Sequence, residues 1–268
     1  MDVIWVRSRR RLPGTVPLSD TRDFANHFAS VAKEYAQFRP RYPEALVDLL
    51  AEHCTHHDLA WDAGCGNGQL TTMLTRRFFK VIGSDPSPEQ LASAEQAAMV
   101  SYLLSTADQP MLETRSVDLA VSAQAAHWFH WTYYVAEVER VTKPGAIVAT
   151  VSYGTMQLDG DAGELVDRYY HRTVGPYWPR ERRHVENGYR DLQWPWPEIP
   201  TPPIAMTAEW TRGELIGYVS TWSATVKMID ALGPEPYLQL GRELASVWPD
   251  GERRTIRWPL TLRLAHRS

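Results

Sequence analysis

One stretch decides how the chain folds: Leu59-Ala60-Trp61-Asp62-Ala63-Gly64-Cys65-Gly66-Asn67-Gly68-Gln69-Leu70. A short apolar run ends in an acid, glycine then occupies every second position, and a helix-compatible segment follows. This pattern predicts a buried parallel strand that turns tightly into a helix starting near Gln69. Glycine permits positive φ and lets a ligand approach bare backbone, and the first N–H groups of the helix point into the same turn. The turn is therefore the predicted ligand site.

A second acid-ended strand follows at Val81-Ile82-Gly83-Ser84-Asp85. Asp85 comes about 20 residues after the glycine turn, and an acid at that distance is placed to accept hydrogen bonds from a pair of ribose hydroxyls. A turn with three glycines and a following acid is more specific than either feature alone. Together they predict a nucleoside-binding edge of the sheet.

Residues 62–68 read Asp-x-Gly-x-Gly-x-Gly, which resembles motif I of the class I S-adenosylmethionine-dependent methyltransferases. The nicotinamide fingerprint Gly-x-Gly-x-x-Gly differs, because its third glycine comes one residue later and no acid precedes its first. The resemblance implies S-adenosyl-L-methionine as cofactor and S-adenosyl-L-homocysteine as product. It also implies an α/β, Rossmann-like, doubly wound fold of seven strands, mostly parallel with an antiparallel closing strand.

A segment ahead of this motif, residues 35–43, is similar to the Tyr-x-x-x-Arg-Pro-x-Tyr-Pro pattern of one branch of these enzymes. That branch is the methyltransferase type 11 group, which includes trans-aconitate methyltransferase-like proteins. The resemblance implies that Tyr35 and Arg39 lie near the methionine end of the cofactor. The alternative is a helix-breaking linker whose aromatic residues pack on the core.

The resemblance also implies a cofactor role at the next strand end. Asp108 follows the strand predicted at Val100–Leu104 and would accept a hydrogen bond from the adenine amino group, although an ordinary turn aspartate is the alternative. The complete set of cofactor-binding residues that the resemblance implies is Tyr35, Arg39, Asp62, Gly64, Cys65, Gly66, Gly68, Asp85, Pro86, Ala107, Asp108 and Gln124.

The candidate catalytic residue is His127, which follows the strand predicted at Val117–Ala123. The carboxyl end of a strand beside the first strand is the switch point at which open α/β sheets bind ligands. A histidine there can act as a base or orient the methyl acceptor. The alternative is a hydrogen-bonded histidine within a buried aromatic cluster, and we expect Trp128 and Phe129 to be buried in this way.

Composition limits the partners. The formal net charge is −4, so the overall charge gives no case for nucleic acid or an anionic membrane. With two cysteines no disulfide framework is implied, which favours a cytoplasmic protein, and no apolar run approaches a membrane span. We therefore expect a small-molecule substrate, no nucleic-acid or membrane partner, and a monomer or homodimer. His53, Cys54, His56 and His57 lack the second cluster of a zinc site and predict a solvated turn.

The chain is expected to comprise a flexible tail over residues 1–20 and one methyltransferase domain over 21–268. A segment at about 155–203 interrupts the alternation and is expected to cover the substrate site. Residues 168–190 of it hold six arginines against two glutamates. This segment indicates a planar or carboxylate-bearing acceptor, because guanidinium groups pair with carboxylates and stack on rings. A solvated helix face followed by a proline-rich loop is the other interpretation.

Further expected elements are helices at 24–38, 44–52, 88–98, 133–141, 163–171, 212–222 and 236–247, with strands at 146–153, 204–210 and 255–264, the last at a sheet edge.

The predicted function is methyl transfer from S-adenosylmethionine to oxygen or nitrogen of a small molecule. Two alternatives stay open: an RNA or tRNA methyltransferase of the same fold, and a non-catalytic protein that binds the same cofactor. The glycine spacing disfavours a nicotinamide oxidoreductase.

Overall fold

The computed structural model describes residues 40–267, and the predictions for residues 1–20, the helix at 24–38, Tyr35 and Arg39 lie outside that range. The strands are β1 Leu59–Ala63, β2 Lys80–Asp85, β3 Val100–Leu104, β4 Val117–Ala123, β5 Thr142–Tyr153, β6 Ile204–Trp210 and β7 Arg254–His266. The helices are α1 Glu44–Glu52, α2 Gln69–Leu74, α3 Pro88–Ala92, α4 Trp131–Val141, α5 Gly160–Arg168, α6 Arg182–Glu186, α7 Arg212–Ser220, α8 Ser223–Leu232 and α9 Glu235–Val247.

Within residues 40–267 the strands form one seven-stranded sheet in the order β3-β2-β1-β4-β5-β7-β6. β1 to β5 pair in parallel, and β7 is antiparallel to both β5 and β6. The order reverses at β1 and β4, so the carboxyl ends of these two strands form the predicted ligand edge. The predicted fold is confirmed.

β1 is buried on both faces because helices cover both sides of the sheet. One face carries Trp61, which packs against Tyr134 of α4 at a ring-centroid distance of 5.9 Å and donates from Nε1 to Ser84 Oγ. The other face carries Asp62, which contacts Thr71 of α2. The alternation along β1 thus places an apolar core on one face and the acid beneath the glycine turn on the other.

β7 lies between β5 and β6 and not at a sheet edge, so the expectation of an edge strand was wrong. Its Pro259 is tolerated for a local reason. Arg257 N–H points towards the β5 side, where it donates to Gln157 O, and position 259 faces the same way two residues later. The ladder between β5 and β7 ends at Tyr153 and Leu260, so no acceptor in that ladder needs the donor that proline lacks.

Three predicted helices end earlier than expected. α3 stops at Ala92 and not near residue 98, since Glu95 donates its N–H to Asn67 O and accepts from the Tyr102 hydroxyl. The helix expected at 163–171 begins at Gly160, ends at Arg168 and continues as a π-helical turn over Tyr169–Thr173. The helix expected at 212–222 ends at Ser220, after the predicted capping box of Thr211 and Glu214, which is present.

Among residues 40–267, no helix has the length and apolar character that crossing a membrane requires.

Candidate active site

The glycine turn joins β1 to α2 in a conformation that glycine adopts readily. Gly64, Gly66 and Gly68 have φ of +70°, +55° and +80°. The backbone N–H groups of Gly64 and Cys65 both donate to Ser84 O, at 2.8 and 3.0 Å. The turn is therefore fixed against β2 before any ligand enters.

The three glycines differ in what surrounds them. A Cβ at Gly64 would lie 2.5 Å from the Ala125 side chain, and one at Gly68 would lie 2.0 Å from the Tyr102 hydroxyl. At Gly66 the nearest atom to such a Cβ would be Gln90 Oε1, at 3.6 Å. Gly64 and Gly68 thus serve close packing within the fold, whereas Gly66 presents open backbone on which a ligand can lie.

Asp62 lies directly below this turn and is 1% exposed. Its Oδ2 accepts a hydrogen bond of 2.7 Å from the Thr71 hydroxyl, which ties β1 to the first turn of α2. Burial raises the pKa of the Asp62 carboxyl to about 7, the Thr71 hydrogen bonds oppose this rise, and the charge of Asp85 adds to it.

Asp85 ends β2 and is held by backbone donors from two elements. Its Oδ2 accepts from Gly66 N at 2.9 Å, and its Oδ1 accepts from Ser87 N at 2.9 Å. Each carboxylate oxygen keeps a second lone pair, so the group can still accept from a ligand hydroxyl. The carboxylate is therefore oriented in advance at the carboxyl edge of the sheet.

These two acids give the site a chemical preference for a cation. Two carboxylates influence one another across the turn, and burial disfavours ionisation of Asp62. A positively charged ligand near them would lower this cost, and open backbone at Gly66 would admit a nucleoside. A sulfonium compound that carries an α-amino group and an adenosine fits both properties, so the residues present suit the cofactor that the family implies.

The strand ends beside the turn carry the other predicted cofactor residues. Ala107 is buried and Asp108 is half-buried, in a turn closed by Gln109 N donating to Thr106 O. Gln124 has φ of +56° and is held by Gln124 N to Val151 O and by Nε2 to Tyr153 O. Pro86 is exposed, and the Cys65 Sγ packs towards Gly83. The structure brings these positions to one edge of the sheet, and their cofactor roles remain predictions.

His127 lies in a 3-10 turn over Ala126–Trp128, one turn beyond β4. Its Nδ1 is 3.0 Å from the Tyr189 hydroxyl, and the two rings stack with centroids 6.1 Å apart. Burial lowers the pKa of His127 to about 4, with smaller contributions from the charges of Arg182 and His184. The imidazole is therefore neutral at physiological pH, as a group that accepts a proton must be.

The aromatic residues beside His127 separate into two environments. Phe129 is half-buried and packs against the core, with its ring 4.9 Å from that of Tyr134, so the expectation of burial holds in part for this residue. Trp128 is 61% exposed, so the expectation of burial was wrong for this residue. The end of the 3-10 turn explains the difference, because Trp128 is its last residue whereas Phe129 follows it in an extended conformation and points in another direction.

The segment predicted to cover the substrate site packs on the turn that bears His127. Ala126 forms a small core with Val185 of α6 and Tyr189. Arg263 of β7 fixes the end of this segment by donating to the carbonyl oxygens of Tyr189 and Leu192. Residues 182–192 thus lie beside the candidate catalytic residue.

The sequence interpretation missed three residues of the site. Thr71 bonds Asp62, Tyr102 lies against Gly68 and Gly83, and Tyr189 bonds His127. Thr71 could have been predicted from the sequence, because it lies in the first turn of the helix that follows the glycines. Tyr189 is 62 residues from its partner, and no local pattern connects the two.

Cys54 was expected in a solvated turn, and the structure places it in the core. Its thiol donates towards Leu50 O and Asp118 O, and burial raises the pKa of Cys54 to about 12. His56 and His57 are exposed. Among residues 40–267, no group of three or more histidine, cysteine or acidic side chains is placed to hold a metal ion.

A doubly wound sheet with an antiparallel β7, an acid-ended β1, a three-glycine turn and an acid at the end of β2 defines a class I S-adenosylmethionine-dependent methyltransferase fold. The family model described as "Methyltransferase domain" matches residues 61–150.

Three similar proteins are also named as methyltransferases. A Dictyostelium discoideum protein named as a methyltransferase is 33% identical over 248 residues, 90% of this chain and 94% of that protein. A solved structure from Anaeromyxobacter dehalogenans, named as a type II methyltransferase, is 37% identical with a TM-score of 0.81, and the match covers 85% of this chain and 97% of that one. A malonyl-[acyl-carrier protein] O-methyltransferase of Serratia marcescens is 34% identical over 154 residues, 55% of this chain and 60% of that protein. The chain belongs to the S-adenosylmethionine-dependent methyltransferases and is an enzyme of that family.

Proposed function

We propose that the protein transfers the methyl group of S-adenosylmethionine to a small molecule bound between the glycine turn and residues 182–192. One observation carries the proposal: Tyr189 bonds His127, while Ala125 and Phe129 on either side of His127 lie against Gly64 of the glycine turn. The glycine turn and the covering segment therefore both contact the short stretch of chain that carries His127. Such an arrangement suits an acceptor that is enclosed on several sides.

The cofactor supplies, when bound, a methyl group already activated by a sulfonium centre. In this proposal Gly66 offers the backbone surface for the ligand, and Asp85 accepts from the ribose hydroxyls. Asp62 stabilises the positive charge of the methionine end through its own ionisation. Asp108 accepts from the adenine amino group.

The protein's remaining task is to orient the acceptor atom and exclude water. Orientation of two reactants can lower a barrier by about 7–11 kcal/mol. Since Nδ1 of His127 is bonded to the Tyr189 hydroxyl, Nε2 is the ring nitrogen that this proposal assigns to the acceptor. A hydroxyl or a protonated amine needs a base there, whereas a carboxylate needs only to be positioned.

Charge supports a small acceptor over RNA. The net charge is −4, and the locally basic segment is partly neutralised, because Arg168 pairs with Glu243 at 2.6 Å. RNA-binding proteins present a broad basic face instead. The name of the Serratia marcescens relative, an O-methyltransferase, supports oxygen as the acceptor atom. A monomer or homodimer in the cytoplasm remains part of the proposal.

The proposal is tested in two stages. Calorimetry should show binding of S-adenosylmethionine and S-adenosylhomocysteine and no binding of NADH. A metabolite extract is then incubated with the enzyme and a cofactor labelled in its methyl group, and labelled products are identified by mass. A labelled small molecule supports the proposal.

Three results would contradict it. Label found only in tRNA or other RNA would favour the RNA methyltransferase. Cofactor binding with no labelled product would favour a non-catalytic binding protein. The absence of affinity for either nucleoside would remove the proposal altogether.

A further inference from the structure

We propose that Arg182 binds a carboxylate group of the methyl acceptor. This inference rests on the proposed function, since it assigns the substrate class of that same site. It names one arginine out of the six in residues 168–190.

Arg182 is held in one place by its aromatic neighbours. Its Cζ lies 4.8 Å from the ring centroid of Trp178 and 5.8 Å from that of Tyr170. Its Nε donates to the Tyr170 hydroxyl at 3.0 Å, and its side chain is only 20% exposed. The guanidinium group is therefore oriented before a ligand binds, which reduces the entropy lost on binding.

The part of Arg182 that recognises anions is left without a partner. Within residues 40–267 the two terminal amino groups of Arg182 make no hydrogen bond, although Glu186 lies 3.9 Å from Nε. The Glu186 carboxylate accepts instead from the Tyr170 hydroxyl, at 2.7 Å. Because the guanidinium group is mostly buried and its ion pair with Glu186 is long, at 3.9 Å, an acceptor from a ligand on the terminal amino groups would complete this site.

A second unpaired donor lies beside the first. The Nε1 of Trp178 is buried and has no hydrogen-bond partner among residues 40–267. An indole N–H can only donate, and so can a guanidinium group. Two neighbouring groups that only donate favour a ligand rich in acceptor oxygens, and a carboxylate matches the fork of the guanidinium in shape and charge.

The position of Arg182 connects it with the methyl-transfer site. It is the first residue of α6, and Val185 of the same helix packs against Ala126, next to His127. The charge of Arg182 also contributes to the lowered pKa of His127. A carboxylate on Arg182 would thus lie on the acceptor side of the glycine turn.

The first experiment measures binding without turnover. The signal of the Trp178 indole N–H, assigned with Trp178→Phe, is followed by NMR in the full chain saturated with S-adenosylhomocysteine. Benzoate and succinate are titrated against benzamide, succinamide and inorganic phosphate. We expect the two carboxylates to shift the signal and the amides not to do so.

The variants make this test specific to one arginine. Arg182→Gln should weaken carboxylate binding by about tenfold or more, because a charge-assisted hydrogen-bonded pair is lost. Arg182→Lys should retain part of the affinity, since the charge stays and the fork is lost. Arg183→Gln, which changes an exposed neighbour, should leave binding unchanged. Equal binding by the wild type and Arg182→Gln, tighter binding of phosphate, or no shift with any carboxylate would overturn the inference.

The second experiment uses turnover of the acceptor found by methyl labelling. We expect that acceptor to carry a carboxylate and Arg182→Gln to raise its KM about tenfold or more, with a smaller change in kcat. An acceptor without a carboxylate would overturn the role of Arg182 and leave methyl transfer intact. If the wild type transfers no methyl group, the proposed function fails, while the titration still decides whether Arg182 binds carboxylates.

Discussion

At the scale of single residues, the Asp62 carboxyl makes the stability of the folded chain depend on pH. Its pKa is about 7 in the folded chain, against 3.8 for an ordinary aspartate. Below pH 3.8 both states hold the proton, so the carboxyl imposes no penalty on folding. As the pH rises towards 7, the unfolded chain releases this proton while the folded chain retains it, and stability falls. Above pH 7 the penalty is complete.

Asp62→Asn should therefore stabilise the cofactor-free protein, and more at pH 8 than at pH 5. The amide keeps an acceptor for the Thr71 hydroxyl and removes the buried charge. Thermal unfolding at both pH values measures this effect, since about 1 kcal/mol corresponds to about 2–4 °C in a chain of this size. Exposed Asp161→Asn is the control. The same Asp62 variant should bind S-adenosylmethionine more weakly at pH 8, and unchanged affinity would contradict the proposed role of the acid.

His127 is expected to act as a neutral group throughout the neutral range. Its pKa is lowered to about 4, so the unfolded chain binds a proton at this residue before the folded chain does. Stability should then fall as the pH drops from about 6.5 towards 4. His127→Gln should remove this part of the acid sensitivity in thermal unfolding, with exposed His56→Gln as control. An unchanged dependence on pH would contradict the depressed pKa.

Removal of the imidazole separates its two possible roles in turnover. If His127 accepts a proton from the acceptor, His127→Ala should lower kcat by about 10²–10⁴. If it only orients the acceptor, the variant should mainly raise KM. Steady-state kinetics on the labelled acceptor distinguish the two, and full turnover by His127→Ala would exclude both.

At the scale of elements, the glycines of the turn between β1 and α2 have different roles: Gly68 is needed for packing, and Gly66 for binding the ligand. A Cβ at Gly66 has room, whereas a Cβ at Gly68 would overlap the Tyr102 hydroxyl. Gly66→Ala should then cost about 1–2 kcal/mol, the price of a left-handed alanine, and remove cofactor affinity by occupying the ligand surface. Gly68→Ala should lose more stability as well as affinity.

Unfolding in urea and calorimetry on the two glycine variants measure these effects. Gly145→Ala is a suitable control for backbone strain, because φ there is +76° and no atom lies within 4 Å of an added Cβ. The interpretation fails if Gly66→Ala binds the cofactor as tightly as the wild type.

At the scale of the whole molecule, the cofactor should stabilise the folded chain through its proposed contacts with Asp62 and Asp85. A ligand present at 100 times its Kd adds about 2.7 kcal/mol to the free energy of unfolding. S-adenosylhomocysteine should therefore raise the Tm by about 5–10 °C. Asp85→Asn should shrink this rise at equal ligand concentration, and thermal scans over a range of concentrations measure it. An equal rise in the variant would argue against a sugar contact at residue 85.

The parts of the fold that sequence predicts are those with local chemistry. The glycine turn, Asp85 and the Thr211 capping box depend on neighbours in the chain, and their patterns are readable. The position of β7 depends on pairing with β5 and β6, about 110 and 50 residues away. The spacing of apolar residues within β7 does not indicate which strands it pairs with. Tyr189 likewise owes its place to a contact with His127, 62 residues away in the sequence.

Tyr102 has a consequence that reaches beyond the turn. Its hydroxyl lies over Gly68 and donates to Glu95 O, while its ring lies against Gly83. Outer strand β3 is thereby fastened to the segment on which the nucleoside would rest. Amide protons of Val100–Leu104 should accordingly exchange with deuterium more slowly once a nucleoside is bound there. Exchange at this outer strand would then report ligand binding at the glycine turn.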